Sequence, residues 1–416
     1  MDTYKIYGGN TICGDIDIQG SKNAVLPLMA AALINRGTTI LHNCPNISDV
    51  KNMAGILECF GCGIEYGNGD MVIDASGVSS GAVPAQMIKR VRASVLVMGA
   101  MIARTGCIEL DYPGGCMIGA RPVDYHIEAL RQLGVDITET DGKICCTCDR
   151  MKGADIKLLF PSVGATENAV LAACGAEGIT TIYNAAREPE VEELCEMLMD
   201  MGASIFGAGT SQITVIGKKE YHDVEHTVLS DRIAAGTYIC AGIITGGRVC
   251  CRMNKPDILY GMTHLFKDMG CTVRYGNDYY EVKGGKSIRA IKYIETKPYP
   301  GFPTDMQSQF VSVLSKACGT SVIVENIFEA RFQIADELKK LGADIVVEGN
   351  RAVIHGVERL HGANIKAKEL RGGAALIIAG LGAEGKTVVE DKGYIRRGYV
   401  DVIDVLKRLG GNIHCG

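Results

Sequence analysis

The sequence predicts an α/β protein of six copies of one unit, and three observations carry that prediction. First, Ala-rich apolar stretches ending in glycine recur, each followed by a short β-branched run. They are AALINRGTTILHN (31–43), GAMIARTGCIELDY (99–112), LAACGAEGITTIYN (171–184), CAGIITGGRVCCRM (240–253), SVLSKACGTSVIVEN (312–326) and IIAGLGAEGKTVVED (377–391). Second, about two dozen residues after each comes another apolar stretch closing on glycine: Phe60-Gly61, Leu133-Gly134, Met201-Gly202, Met269-Gly270, Leu341-Gly342 and Leu409-Gly410. Third, a glycine after a helix supplies the left-handed residue that closes it, so each copy contains two helices with strands between them.

Each copy therefore reads as strand–helix–strand–helix–strand, with room for one further strand. A period of roughly 70 residues suits a compact subdomain better than a solenoid turn. Six copies divide as three and three. Ala- and Gly-rich helices pack closely, so three copies can share a helical core with their sheets outside. The polar stretch HDVEHTVLSDR (222–232), between the third and fourth copies, is the expected crossing between halves. Two similar lobes also create a cleft, a favoured place for a ligand.

Composition narrows the function. The chain has 416 residues and a formal net charge of −5, which leaves no basic footprint for nucleic acid; an anionic ligand needs a local cluster of cations. MDTYKIYGGN is not a signal peptide and no stretch is long enough to span a membrane, so a reducing cytoplasm is expected. Most of the seventeen cysteines are then small buried hydrophobes. Cys59-Phe-Gly-Cys62 and Cys145-Cys146-Thr-Cys148 have ligand-like spacing, but the first pair straddles a helix-ending glycine and the second lies in an alternating strand. No metal and no cofactor are expected.

Seven stretches stand out from the repeats. PGGCMIGARP (113–122) places Cys116 on a glycine-flanked turn, five positions before Arg121. IQGSKNAVLPLMAAAL (18–33) places Lys22 and Asn23 at a helix start, where a lysine opposes the macrodipole unless an anion lies between them; read alone, it is a solvated loop lysine first. Arg92 in VRASVLVMGAMIARTG (91–106) raises the same question. Asp305, in GFPTDMQSQFVSVLS (301–315), reads first as a helix cap. FEARF (328–332), ELRGGAA (369–375) and YIRRGYV (394–400) add Arg331, Arg371, Arg396 and Arg397. Guanidiniums brought together need anions to pair with. There is no Walker loop, GxGxxG or GxSxG. The residues alone describe an enzyme or binder for a small, doubly anionic substrate.

Taken in order, SKNAVLP, RAS, PGGCMIGARPVDYHI, SVGATEN, NAAREPE, DRI-AAGT and FPTDMQ resemble the UDP-N-acetylglucosamine 1-carboxyvinyltransferase family over essentially the whole chain. The resemblance implies a two-lobed inverted α/β barrel, or prism, with three βαβαββ units per lobe. It places residues 22–229 in the N-terminal lobe and 1–21 with 230–416 in the C-terminal lobe, with the active site in the cleft between them. It implies transfer of the enolpyruvyl group of phosphoenolpyruvate to the 3′-hydroxyl of UDP-N-acetylglucosamine with release of phosphate, the first committed step of peptidoglycan synthesis. The partners are those two small molecules, with no nucleic acid and no membrane.

Carried over by position, Lys22 and Asn23 match phosphoenolpyruvate contacts, and Arg92, Arg121, Arg371 and Arg397 match anion-binding arginines. Arg121, Pro122, Val123, Asp124 and Tyr125, with Ser162, Val163, Gly164 and Ile327, match positions that contact the UDP-sugar. Asp305 matches the residue that takes the sugar hydroxyl's proton. Cys116 matches the thiol that protonates the methylene carbon and that fosfomycin alkylates. Arg331 and Glu369 complete the expected substrate-binding set.

The chain departs from the family's usual pattern in three places. Glu369-Leu370-Arg371 stands for Asp-Leu-Arg, and one extra methylene is expected to shift the carboxylate by about 1 Å. Tyr394-Ile395-Arg396-Arg397 places Arg396 where an acid is usual, which is expected to disturb the phosphate grip. Ser230-Asp231-Arg232-Ile233-Ala234 lacks the usual Pro and Glu at the boundary between lobes. These changes leave open a weakened paralogue that binds the UDP-sugar as a regulator. A 3-phosphoshikimate transferase is a third reading, opposed by Cys116 and the UDP-sugar motifs.

Overall fold

The computed structural model describes residues 2–114 and 123–416. Its described residues form two compact units, one of 2–19 with 230–416 and the other of 20–114 with 123–229.

Each unit is built from three small sheets. Five of the six sheets share one pattern: three antiparallel strands carry a fourth, parallel strand at one edge. In the first repeat, Thr38–His42 pairs antiparallel with Asp70–Asp74 and parallel with Val224–Thr227. In the fourth, Arg248–Arg252 pairs antiparallel with Tyr279–Lys283 and parallel with Cys13–Asp17. The parallel edge strand thus comes from far away in sequence in both cases. The sheet of the second repeat, with Cys107–Asp111, Asp136–Thr140 and Lys143–Thr147, has three strands among the described residues. Beside its strand Cys107–Asp111 packs the helix Ala85–Arg90. The six Ala-rich stretches of the sequence correspond to these six sheets.

Apolar residues alternate along the strands, as in Asp70–Asp74, where Met71 and Ile73 are buried between exposed ends. The Ala-rich helices behave differently and are apolar all round, which marks them as core helices. Every residue of Arg232–Ile244 is buried, as is every residue from Leu370 to Leu381 in Leu370–Gly382. Those two helices pack with Gln307–Leu314 in one unit. In the other, Val97–Thr105 packs against Val163–Cys174 and touches Lys22–Ala32. The closest of these contacts is tied by a polar side chain: Asn168 Oδ1 accepts from Gly99 N at 2.6 Å, and its Nδ2 donates to Val95 O at 2.9 Å.

Two local expectations need correcting. Arg92 does not open the apolar helix; it begins a 3₁₀ turn, Arg92–Leu96, and the helix starts at Val97. Asp305 is not a helix cap either. It lies inside the 3₁₀ turn Thr304–Met306, and neither that turn nor the helix Gln307–Leu314 has a side-chain cap. Its carboxylate is used elsewhere. Most described thiols are buried, as expected, with Cys13, Cys318 and Cys415 exposed. Burial pushes the thiols of Cys44, Cys62, Cys146 and Cys174 up to about 12.

Candidate active site

Cys116, Arg121 and Pro122 lie outside the described residues. The chain leading to them does not. Gly114 passes so close to the helix Ala85–Arg90 that a Cβ there would lie 2.2 Å from Lys89 O, so only glycine allows this path.

In the unit of residues 20–229, the predicted residues gather at helix starts. Ser21 caps Lys22–Ala32 by accepting from Ala24 N at 3.3 Å, which places Lys22 and Asn23 in the first turn. The anion demanded by a lysine in that position is present within the protein: Lys22 Nζ lies 2.7 Å from Asp49 Oδ2. Asp49 is buried in the first turn of Ser48–Cys59, where a negative charge is favoured. The half-buried Arg92 lies on the 3₁₀ turn that packs against both Lys22–Ala32 and Val163–Cys174.

Ser162 caps Val163–Cys174, accepting from Ala165 N at 3.4 Å, and Val163 and Gly164 follow in its first turn. Val123 precedes the helix Asp124–Gln132, on which Asp124 is exposed and Tyr125 half-buried. These two helices pack together through His126. A Cβ on Gly164 would lie 2.9 Å from its ring, and its Nδ1 accepts from Asn168 Nδ2 at 2.9 Å. That amide also donates to Val95 O, so the imidazole proton is on Nε2. Tyr125 stacks on Phe160, with centroids 6.4 Å apart. The described end of the RPVDY stretch and the SVG stretch are therefore neighbours, although 37 to 41 positions separate Val123 to Tyr125 from Ser162 to Gly164 when taken pairwise.

In the unit containing residues 230–416, Asp305 is the centre. Its Oδ1 pairs with Arg331 Nη2, and its Oδ2 accepts from Arg371 Nη2 at 3.1 Å and Nε at 3.3 Å. Both arginines are almost wholly buried, whereas the Asp305 side chain is 25% exposed, so the acid presents the open side of the cluster. Burial pulls the Arg371 guanidinium down, but the Asp305 carboxylate, Tyr399 and Asp231 together outweigh this and hold it above its ordinary value. Arg371 also lies over the Tyr399 ring, 5.5 Å from its centroid.

Glu369 caps Leu370–Gly382, accepting from Arg371 N at 2.7 Å and from Gly372 N. Its longer side chain is absorbed by curling back over the helix start, with Oε2 3.6 Å from Arg331 Nη1. Ile327 N donates to Glu325 Oε1 at 2.8 Å, which holds that loop. Arg397 is half-buried in the 3₁₀ turn Ile395–Arg397, packed on Leu370–Gly382. Arg396, expected to crowd it, is paired with Asp2 at 3.0 Å. Asp231, in the altered boundary stretch, caps Arg232–Ile244 by accepting from Ile233 N and Ala234 N. Glu325, Asp49, His126 and Asn168 escaped the sequence reading.

One unit thus holds a carboxylate between two buried arginines; the other holds a lysine and an arginine at neighbouring helix starts. Such groups can bind anions and accept a proton from a hydroxyl.

Comparison with known proteins accords with this chemistry. A family model described as EPSP synthase (3-phosphoshikimate 1-carboxyvinyltransferase) matches residues 6–406. UDP-N-acetylglucosamine 1-carboxyvinyltransferase 2 of Caldanaerobacter subterraneus subsp. tengcongensis is 47% identical over 413 residues, 99% of each chain. UDP-N-acetylglucosamine 1-carboxyvinyltransferase 1 of Symbiobacterium thermophilum is 44% identical over 418 residues, covering 99% of this chain and 95% of its own. Among solved structures, the enolpyruvyl transferase NikO from Streptomyces tendae superposes with a TM-score of 0.90 at 25% identity, over 100% of this chain and 99% of that one. EPSP synthase from Acinetobacter baumannii shares the fold, with a TM-score of 0.77 at 21% identity over 100% of both chains.

Proposed function

The chain belongs to the UDP-N-acetylglucosamine 1-carboxyvinyltransferase family, within the wider family of EPSP synthases, and from that premise we propose how its residues perform enolpyruvyl transfer. The reaction moves the enolpyruvyl group of phosphoenolpyruvate onto the 3′-hydroxyl of UDP-N-acetylglucosamine and releases phosphate, in peptidoglycan synthesis. The observation that carries the reading is the Asp305 carboxylate, partly exposed and held by Arg331 and Arg371.

An alcohol is a weak nucleophile, so a carboxylate within hydrogen-bond reach must take its proton as the new C–O bond forms. Asp305 is that base. Cys116 protonates the methylene carbon of phosphoenolpyruvate, which makes the adjacent carbon electrophilic. The sugar oxygen adds there, giving a tetrahedral adduct. Loss of a proton from its methyl carbon re-forms the double bond as phosphate departs. Lys22, Arg92, Arg121 and Arg397 hold the phosphate and carboxylate charges throughout, as fixed cations that need no reorganisation. Val123 to Tyr125, Ser162 to Gly164 and Ile327 hold the UDP-sugar. The reaction runs in the cytoplasm, and fosfomycin alkylates Cys116.

The regulator reading loses its support, because Glu369 and Arg396 are accommodated locally. The shikimate reading is not favoured by relatives that are 43–47% identical and bear the UDP-sugar name. The direct test mixes protein, UDP-N-acetylglucosamine and phosphoenolpyruvate and follows phosphate release. Turnover with this sugar and none with shikimate 3-phosphate is expected. Tight sugar binding without turnover would restore the regulator.

A further inference from the structure

We infer that Glu325 is a positioning residue for Asp305, acting through Thr304 and Arg331; the inference rests on the enolpyruvyl-transfer reading above. Glu325 is 2% exposed and follows the strand Thr320–Val324. Its Oε1 accepts from Thr296 Oγ1 at 2.8 Å, Ile327 N at 2.8 Å and Phe328 N at 3.2 Å. Its Oε2 accepts from Thr304 Oγ1 at 2.9 Å. Thr304 precedes Asp305, and Ile327 and Phe328 lead to Arg331. One buried carboxylate therefore fastens the turn bearing the base to the loop bearing its cationic partner.

The direction of each hydrogen bond explains why an acid is used. A carboxylate only accepts, so the Thr304 hydroxyl must donate to it. The hydroxyl oxygen then has lone pairs left, and it accepts from Arg331 Nε at 3.3 Å. Arg331 in turn pairs with Asp305 Oδ1 through Nη2. Charge at both ends thus sets the order: guanidinium to hydroxyl, hydroxyl to carboxylate. Burying a carboxylate is costly, and holding the loop alone needs only a neutral acceptor at Oε1. The second oxygen, aimed at Thr304, is the part that a structural anchor does not require.

Glutamine separates the two roles. In Glu325→Gln the three donors at Oε1 pin the amide oxygen there, so the NH₂ faces Thr304. Thr304 must then accept from it, its own proton turns towards Arg331 Nε–H, and that guanidinium loses a partner. Asp305 follows Arg331, and displacement by a fraction of an ångström slows a proton transfer whose geometry is demanding.

The test compares wild type, Glu325→Gln, Thr304→Val, Thr304→Ser and the Glu325→Gln/Thr304→Val double variant by phosphate release and thermal unfolding. Glu325→Gln and Thr304→Val are each expected to lower kcat about tenfold or more, with both KM values within about threefold. Thr304→Ser, which keeps the hydroxyl, recovers kcat to within about threefold of wild type, and the double variant is no slower than the slower single. A kcat within about twofold of wild type in both single variants overturns the inference. So does a serine variant as slow as the valine one, or losses that multiply in the double variant. Absence of turnover in the wild type would instead bring down the functional reading, and this role with it.

Discussion

Lys22 and Asp49 form an ion pair 2.7 Å long that joins the starts of two helices, Lys22–Ala32 and Ser48–Cys59. Asp49 is 1% exposed, so the pair fixes the lysine as well as balancing its charge. Asp49→Asn keeps the shape and removes the charge that aims Lys22. The expected outcome in steady-state kinetics is a KM for phosphoenolpyruvate raised about tenfold, from loss of a charge-assisted bond, with KM for the UDP-sugar little changed.

Asp305 separates two buried guanidiniums, so its removal has two separable effects. Asp305→Ala should abolish phosphate release while UDP-N-acetylglucosamine binding, measured by calorimetry, stays within about tenfold. It should also destabilise the protein by about 3 kcal/mol in denaturant unfolding, because two buried cations then lack their shared counter-charge. Asp305→Asn should be equally inactive but better folded.

Alkylation should distinguish Cys116 from the other sixteen thiols. Buried thiols whose pKa is pushed up to about 12, such as Cys44 and Cys174, carry almost no thiolate at neutral pH. Cys13, Cys318 and Cys415 are exposed and are the real competitors. Brief labelling of the free protein followed by peptide mass spectrometry should find Cys116 modified first, and bound substrates should slow it.

His42 Nδ1 lies 2.8 Å from Asp70 and Nε2 2.7 Å from Glu225, which ties the edge strand Val224–Thr227 to its sheet. Hydrogen bonds to those two carboxylates raise its pKa above 6.5. A raised folded-state value means that the imidazolium contributes its full stability below the unfolded value. That contribution is lost as pH rises through the folded one. Thermal unfolding of wild type and His42→Gln should therefore differ most below pH 6.5 and converge as the pH rises through the folded-state value. The ring is 31% exposed, so the difference should be small and sensitive to salt.

The repeats were legible because helix-ending glycines and Ala-rich runs act locally, and a local signal survives in the sequence. The six small sheets follow from it. The origin of the parallel edge strands was harder, since Val224–Thr227 reaches back to Thr38–His42. Local rules misread Asp305 as a cap, because Thr-Asp before an apolar run has that look; its partners are 26 and 66 positions away. Asp49 and Glu325 were invisible for the same reason. Each resembles an ordinary acid at a helix start or strand end until the fold brings Lys22 or Thr304 beside it.

The strand Asp2–Tyr7 pairs on one side with Lys386–Asp391 and on the other with Asn412–Cys415. On a ribosome, this strand therefore waits for partners made roughly 380 or more residues later. At about 5–20 residues per second the wait is roughly 20–80 s, during which its backbone donors and acceptors stay unpaired. The described residues of 20–229 face no such delay, since the partners of their strands lie within that range. Synthesis thus delivers one unit while the sheet begun by Asp2–Tyr7 still lacks three of its four strands, and any chaperone that attends this chain meets it in that lopsided state.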